Sequence, residues 1–197
     1  MATYYVSATT GNDSSAGTSI GAAKATIGAG ENLATSAGDI VYIAPGTYRE
    51  KVTHGYSGTA ANRIYFIGDP DCEIFTNITP GVVRITVSDA NDIAENGDTE
   101  YIIKSNGRDY ITWKNVQVDG GSGGVGAYND NNTVYGFYSN SEADHMEVIN
   151  CMTQHCNYGT RNVAYVYDSV IMSFSIGCAF GYIVDRCVII AAYTAAY

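Results

Sequence analysis

Acids dominate the charged groups of this chain: twenty Asp and Glu stand against ten Lys and Arg, with three His. Hydrolysis of a glycosidic bond takes two carboxyl groups about 5 to 9.5 Å apart on one face. Asp119, Asp144 and Glu147 are the candidates, but their spacing singles out no pair, and solvated surface acids are the simpler reading. Asp89, Asp92, Glu95, Asp98 and Glu100 crowd one polar stretch with the hard oxygens that calcium favours. Asn91 and Ile93 break the alternating ligand pattern of a helix-loop-helix site, so a solvated loop is expected there and calcium is left open. Asn129 to Asn132 reads as a turn. His54, His145 and His155 lie too far apart in sequence to share a metal. Cys151 and Cys187 are expected to be buried thiols and Cys156 and Cys178 to sit at turns. Five Cys is an odd count, and Cys151 with Cys156 has no second half of a zinc site. No serine elbow, phosphate loop or dinucleotide fingerprint is present. Spacing therefore assigns no catalytic, cofactor-binding or metal residue, and no cofactor is expected.

The 197 residues suit one domain, read as an N-terminal strand, loop and cap over 1–38 followed by 39–197. With 22 Gly, only three Pro and 15% charged residues, the composition calls for short strands and tight turns. A net charge of -10 repels phosphate backbones, which argues against nucleic acid as a partner. No apolar run reaches the roughly 20 residues of a membrane span. Met1 to Ser7 has no basic start or apolar stretch of signal-peptide type, so synthesis and retention in the cytoplasm, or release by lysis, is expected.

The elements that must position these residues repeat. Tyr110–Asp119, His145–Gln154, Val163–Met172 and Gly181–Ile190 align without gaps, with starts 35, 18 and 18 residues apart. The fourth column is apolar (Trp113, Val148, Val166, Val184), the seventh small (Val116, Cys151, Ser169, Cys187) and the ninth β-branched (Val118, Thr153, Ile171, Ile189). The sixth (Asn115, Asn150, Asp168, Arg186) is a polar corner, where Asn and Asp tolerate left-handed backbone angles. Because 35 is close to twice 18, a further coil is expected between the first two segments, with Thr133 to Tyr138 supplying it. A strand, a one-residue corner and a second strand repeated at this period cannot be a helical solenoid. Stacked coils of this kind make a parallel β-helix, all-β, in about six to eight coils. Ala22 to Ala37 is expected to be a short helix.

The stretches Tyr4-Tyr5-Val6-Ser7, Gly11-Asn12-Asp13, Gly17-Thr18, Gly38 to Glu50 and Gly58 to Gly68 resemble those of right-handed parallel β-helix proteins of the pectate-lyase-like superfamily. The resemblance covers essentially the whole chain and implies that the segment 22–37 caps the open end of the stack. It is poor for function, because the superfamily holds polysaccharide lyases, glycosidases and virion proteins. The start Met1 to Ser7 is also similar to that of phage structural proteins of this fold. In the lyases, the resemblance implies a calcium cluster of carboxylates beside an Arg or Lys base. Asp168, Asp185 and Arg186 would be its members here, though a surface ion pair between coils is the plainer reading. Only Arg161 and Arg186 follow Lys114, so a cleft for an acidic glycan is not expected.

Outward positions grow apolar along the repeat: Tyr165, Tyr167, Val170 and Met172 in the third coil, then Ile183, Val188 and Ile190 in the fourth. Such a face asks to be covered, unless the register is slipped by one and inside and outside are exchanged. The sequence is thus read as a non-enzymatic virion component, a capsid decoration or tail-associated protein. It would assemble through those seven residues as a homo-oligomer, a trimer being favoured, with capsid or tail proteins as further partners. A polysaccharide lyase or glycosidase, and a glycan-binding module using exposed Tyr, are the alternatives; in both the partner is a polysaccharide.

Overall fold

The computed structural model describes residues 1–86, 99–121, 133–140, 145–179, 183–191 and 194–196. Its strands pair in parallel throughout and fall into two sheets. The seven-stranded sheet runs β1 (Thr3–Val6), β2 (Ile40–Ile43), β5 (Ile64–Gly68), β8 (Ile111–Lys114), β11 (Glu147–Ile149), β13 (Tyr165–Tyr167) and β15 (Ile183–Asp185). The second sheet holds two runs. One is β3 (Gly46–Arg49), β6 (Val83–Thr86), β9 (Gln117–Asp119), β12 (Met152–Arg161), β14 (Val170–Ala179) and β16 (Val188–Ala191). The other is β4 (Val52–Thr53), β7 (Thr99–Lys104), β10 (Thr133–Tyr138) and β17 (Thr194–Ala196), joined through the same β12 and β14. The chain visits each sheet in turn, so parallel neighbours lie one circuit apart in sequence.

The expected columns are the interior rows. Val41, Phe66, Trp113, Val148 and Val166 follow one another in register and are all buried, and Val184 ends the row half exposed. The ninth column extends backwards through Ile85 to Tyr48. Phe66 and Trp113 stack with ring centroids 4.7 Å apart, and the Trp113 indole N–H donates to His54 Nε2 at 2.9 Å. Burial pushes the His54 imidazole down to about 3, so it is a neutral acceptor within the core.

Each corner residue is left-handed: φ is +58° at Asn115, +49° at Asn150, +50° at Asp168 and +50° at Arg186. The Asn150 amide donates to Asn115 Oδ1 at 2.9 Å, and that of Asn115 to the Gly68 carbonyl at 3.2 Å, forming a side-chain ladder along the corner. The register was therefore right.

Three expectations are corrected. Val148 pairs directly with Trp113, so no coil intervenes; Thr133 to Tyr138 is β10, a third side of the same, longer coil. The cap is shorter than Ala22 to Ala37: α1 spans Ile27–Glu31. Glu50 starts it, accepting from the N–H groups of Ile27 and Gly28 at 2.8 Å each. Gly30 sets it down on the stack: a Cβ there would lie 2.5 Å from Val6 Cγ2. Cys156 and Cys178 lie within β12 and β14, buried, rather than at turns. Among the described residues no helix is long and apolar enough to cross a membrane.

Candidate active site

The strand β12 belongs to both runs of the second sheet. Met152 to Gln154 pair with β9, whereas Tyr158 to Arg161 pair with β10, and the register shifts between. His155 sits at the shift with φ +53°. Gly120 lets the neighbouring coil pass it, since a Cβ there would fall 1.9 Å from the His155 carbonyl oxygen. One strand thus carries the outer surface of one run into that of the next.

At the bend, Asp119 Oδ1 lies 2.9 Å from His155 Nδ1 and accepts from the Gly121 N–H at 3.0 Å. Its Oδ2 accepts from Gln154 Nε2 at 2.7 Å and lies 3.9 Å from Arg84 Nε. The Asp119 side chain is 9% exposed and the His155 ring 41%. Burial opposes ionisation of Asp119, but the bonds from His155, Gln154 and Gly121 outweigh it and hold the carboxyl below the usual carboxylate range. An ionised carboxylate only accepts, so Nδ1 carries a hydrogen, and in the neutral ring the lone pair is then on Nε2. That is the orientation of a general base.

Beyond the bend the surface is aromatic and cationic. The rings of Tyr101, Tyr135 and Tyr158 stack across three coils, with centroids 5.3 and 4.7 Å apart. Tyr138 tilts against Tyr101 at 4.3 Å. The Arg161 guanidinium lies over the rings of Tyr135 and Tyr158 at 5.3 and 5.5 Å, and its Nη1 donates to the Tyr135 hydroxyl at 2.6 Å. Lys104 Nζ is 4.6 Å from the centre of the Tyr101 ring. Burial pushes the phenols of Tyr101 and Tyr135 up, so both remain hydroxyl donors. Segments far apart in sequence thereby put two cations and four tyrosines on one face, which spacing alone did not reveal.

The other sequence candidates are placed as follows. Glu147 is bound to Arg63 Nε at 3.2 Å and to the Thr112 hydroxyl at 2.9 Å, on the first sheet and apart from Asp119. Asp109 lies 3.2 Å from His145 Nδ1, and the His145 ring stacks on Tyr110 at 4.5 Å. Asp168 and Asp185 do meet at Arg186: Arg186 reaches the two Asp168 oxygens at 2.6 and 2.9 Å and Asp185 Oδ2 at 2.5 Å. The hydrogen bonds from Arg186 hold Asp168 below its usual range, the behaviour of an exposed ion pair between coils. Asp89, Asp92, Glu95 and Asp98, with Asn129 to Asn132 and Asp144, lie outside the described residues; Glu100 is in β7, not a loop, and its side chain is likewise not described. Of the seven outward residues, Val170, Ile183, Val188 and Ile190 are exposed and Tyr165, Tyr167 and Met172 half-buried. Sequence reasoning missed both Asp–His pairs. The available signal was an offset of 36 residues in each, one long coil plus one residue.

No protein-family model matches the sequence, and no curated protein does. Among solved structures, the fold is shared with a GH136 lacto-N-biosidase from Eubacterium ramulus. Its selenomethionine form matches 92% of this chain and 36% of that one, at TM-score 0.64 and 17% identity. The native form gives TM-score 0.62 and 16% identity. A rhamnogalacturonan lyase matches over 92% of this chain and 62% of its own, at TM-score 0.55 and 16% identity. The chain thus spans about a third of the first relative and under two thirds of the other. These likenesses establish a pectate-lyase-like parallel β-helix type of fold. They correct the expectation of a non-enzymatic virion component, because the neighbours are enzymes that act on glycans. The physical reason for the error is that the Asp–His pair and the cationic tyrosine surface each form only once the coils are stacked.

Proposed function

We propose that the two sheets are walls of one right-handed β-helix and that the chain cleaves a polysaccharide. The reaction its outer face suits best is β-elimination from a uronate-containing glycan. One observation carries the reading: β12 joins the Asp119–His155 pair to the Tyr158 and Arg161 surface within a few residues. In such an elimination His155 Nε2 takes the proton at C5 of a uronate, and the electron pair forms the C4–C5 double bond. The C4–O bond to the neighbouring sugar breaks, the departing oxygen takes a proton from water, and the imidazolium gives its proton back to solvent. Charge builds on the uronate carboxylate meanwhile; Arg84, 3.9 Å from Asp119, is the cation beside the pair, and Arg161 and Lys104 suit acidic units further along the glycan. Asp119 fixes the tautomer and steadies the imidazolium. The net charge of -10 opposes an acidic glycan at long range, but over distances beyond about 8 Å salt screens it, and the local cations govern the contact.

The test is a panel of neutral and acidic polysaccharides, with unsaturated products and new reducing ends followed separately. Unsaturated product from a polyuronate, lost in His155→Ala, is the expected result. Reducing ends without unsaturation would place the chain among hydrolases, and no product at all would leave a binding module.

A further inference from the structure

Where β8 and β11 turn into β9 and β12, a groove of about 270 Å³ follows the corner, on the opposite side of His155 from Arg161. One wall is polar: the corner residues Asn115, Asn150 and Asp168, with Gln117 beside them. Met152 and Val170 are apolar and lie in register with Gln117 in one row along β9, β12 and β14, and Pro70 and Val82 add further apolar lining. Asn115 and Asn150 each spend one amide hydrogen on the ladder, which leaves a second N–H on each and the oxygen of Asn150 as further hydrogen-bonding capacity. Asp168 is already paired with Arg186, so the groove offers no unmatched cation to an anionic ligand.

We infer that this groove is a saccharide subsite for an uncharged sugar residue, so that the glycan cleaved here carries a neutral unit a few sugars from the acidic one. The inference rests on the glycan reading above and names its substrate class more narrowly. A pyranose ring presents what the groove complements: an apolar C–H face for Met152 and Val170, and hydroxyls that both donate and accept for the amides. The volume lies just under the usual range for drug-sized ligands, about 300 Å³ and upward, and so suits one or two rings. The order along β12 is Met152 in the groove, His155 at the bend, and Tyr158 and Arg161 on the cationic face. With about 3.3 Å per strand residue, groove and cations each lie roughly 10 to 20 Å from the base, the span of two to four sugars.

The experiment uses full-length protein carrying ¹³C-methyl methionine, titrated with methyl glycosides of neutral hexoses and, separately, with methyl glucuronoside. Concentrations run to about 100 mM, which detects dissociation constants in the millimolar class. A neutral glycoside is expected to move the Met152 methyl and leave that of buried Met146 in place. Gln117→Ala should weaken this at least threefold and Asn150→Gly, which keeps the left-handed corner, at least tenfold, with Arg161→Ala without effect. Glucuronoside should leave Met152 unmoved. A Met152 signal indifferent to every neutral glycoside overturns the inference, as does one that answers glucuronoside equally or that shifts on dilution alone because a second copy covers the groove. Cleavage of polyuronate with a silent groove would sink this inference and spare the proposed function; a responsive groove without cleavage would do the reverse.

Discussion

At the scale of single residues, the most heavily constrained groups are polar ones buried by the coils. His54 accepts from Trp113 in the core, and burial lowers its imidazole from 6.5 to about 3. The unfolded chain therefore binds a proton at this group between those values and the folded chain does not. Stability is lost as pH falls through that window, by on the order of 5 kcal/mol at most. Glu31 and Glu50, raised by burial, act in the opposite sense just above 4.5, because there the folded state binds the extra proton. His54→Gln keeps an acceptor for the indole and should flatten the acid limb of urea midpoints measured between pH 6.5 and 4. An unchanged limb would show that His54 does not carry the dependence. At the bend, Asp119→Asn takes the charge from a site with three hydrogen-bond donors. A loss of about 1 to 3 kcal/mol in stability is expected from denaturant unfolding. Turnover should fall by about 10² to 10⁴ because the His155 tautomer is no longer enforced. None of this was legible in the sequence. A lone His and a lone Asp gain their meaning from the neighbouring coil, and only the shared offset of 36 residues hinted at it.

At the scale of elements, the corner column was readable because one property is demanded of every member. Asn115, Asn150 and Asp168 are residue types that accept φ near +50°, and the columns on either side fixed which faces point inward. Asn150→Ala puts a Cβ-bearing residue without a polar handle at φ +49° and cuts the ladder. It should cost about 1 to 2 kcal/mol for the backbone and about 1 kcal/mol for the hydrogen bond. Asn150→Gly should cost less by thermal unfolding, and equal losses would mean the corner conformation is not what Asn supplies. The spacing of 35 misled because coil length is not constant. A coil can lengthen between two sides and stay in register on the third, and β8 still pairs with β11 across the longer one. The helix was overestimated for a different reason: Gly30 is there for contact with Val6 and not for helix propensity.

At the scale of the whole molecule, the fold was legible and the function was not. Stacking requires a repeated pattern that any reader of columns can find; the proposed active face draws on residues from β7, β10 and β12, which follow no repeat among themselves. The exposed apolar positions at the far end of the stack belong to this scale. Val188 and Ile190 are 55% and 56% exposed beside Ile183, and contact with a second copy is the proposal they support. Val188→Lys with Ile190→Lys should lower the mass found by light scattering to that of a monomer without loss of fold. A wild type already monomeric would end the proposal. The central claim, that β12 carries a uronate across its bend, is tested most directly by a crystal structure of His155→Ala with an uncleaved uronate oligosaccharide. The account predicts a uronate carboxylate on Arg161 or Lys104, with C5 of another uronate of the same oligosaccharide beside the space vacated by the imidazole. A ligand seated instead on the first sheet, around Arg63 and Glu147, would contradict it.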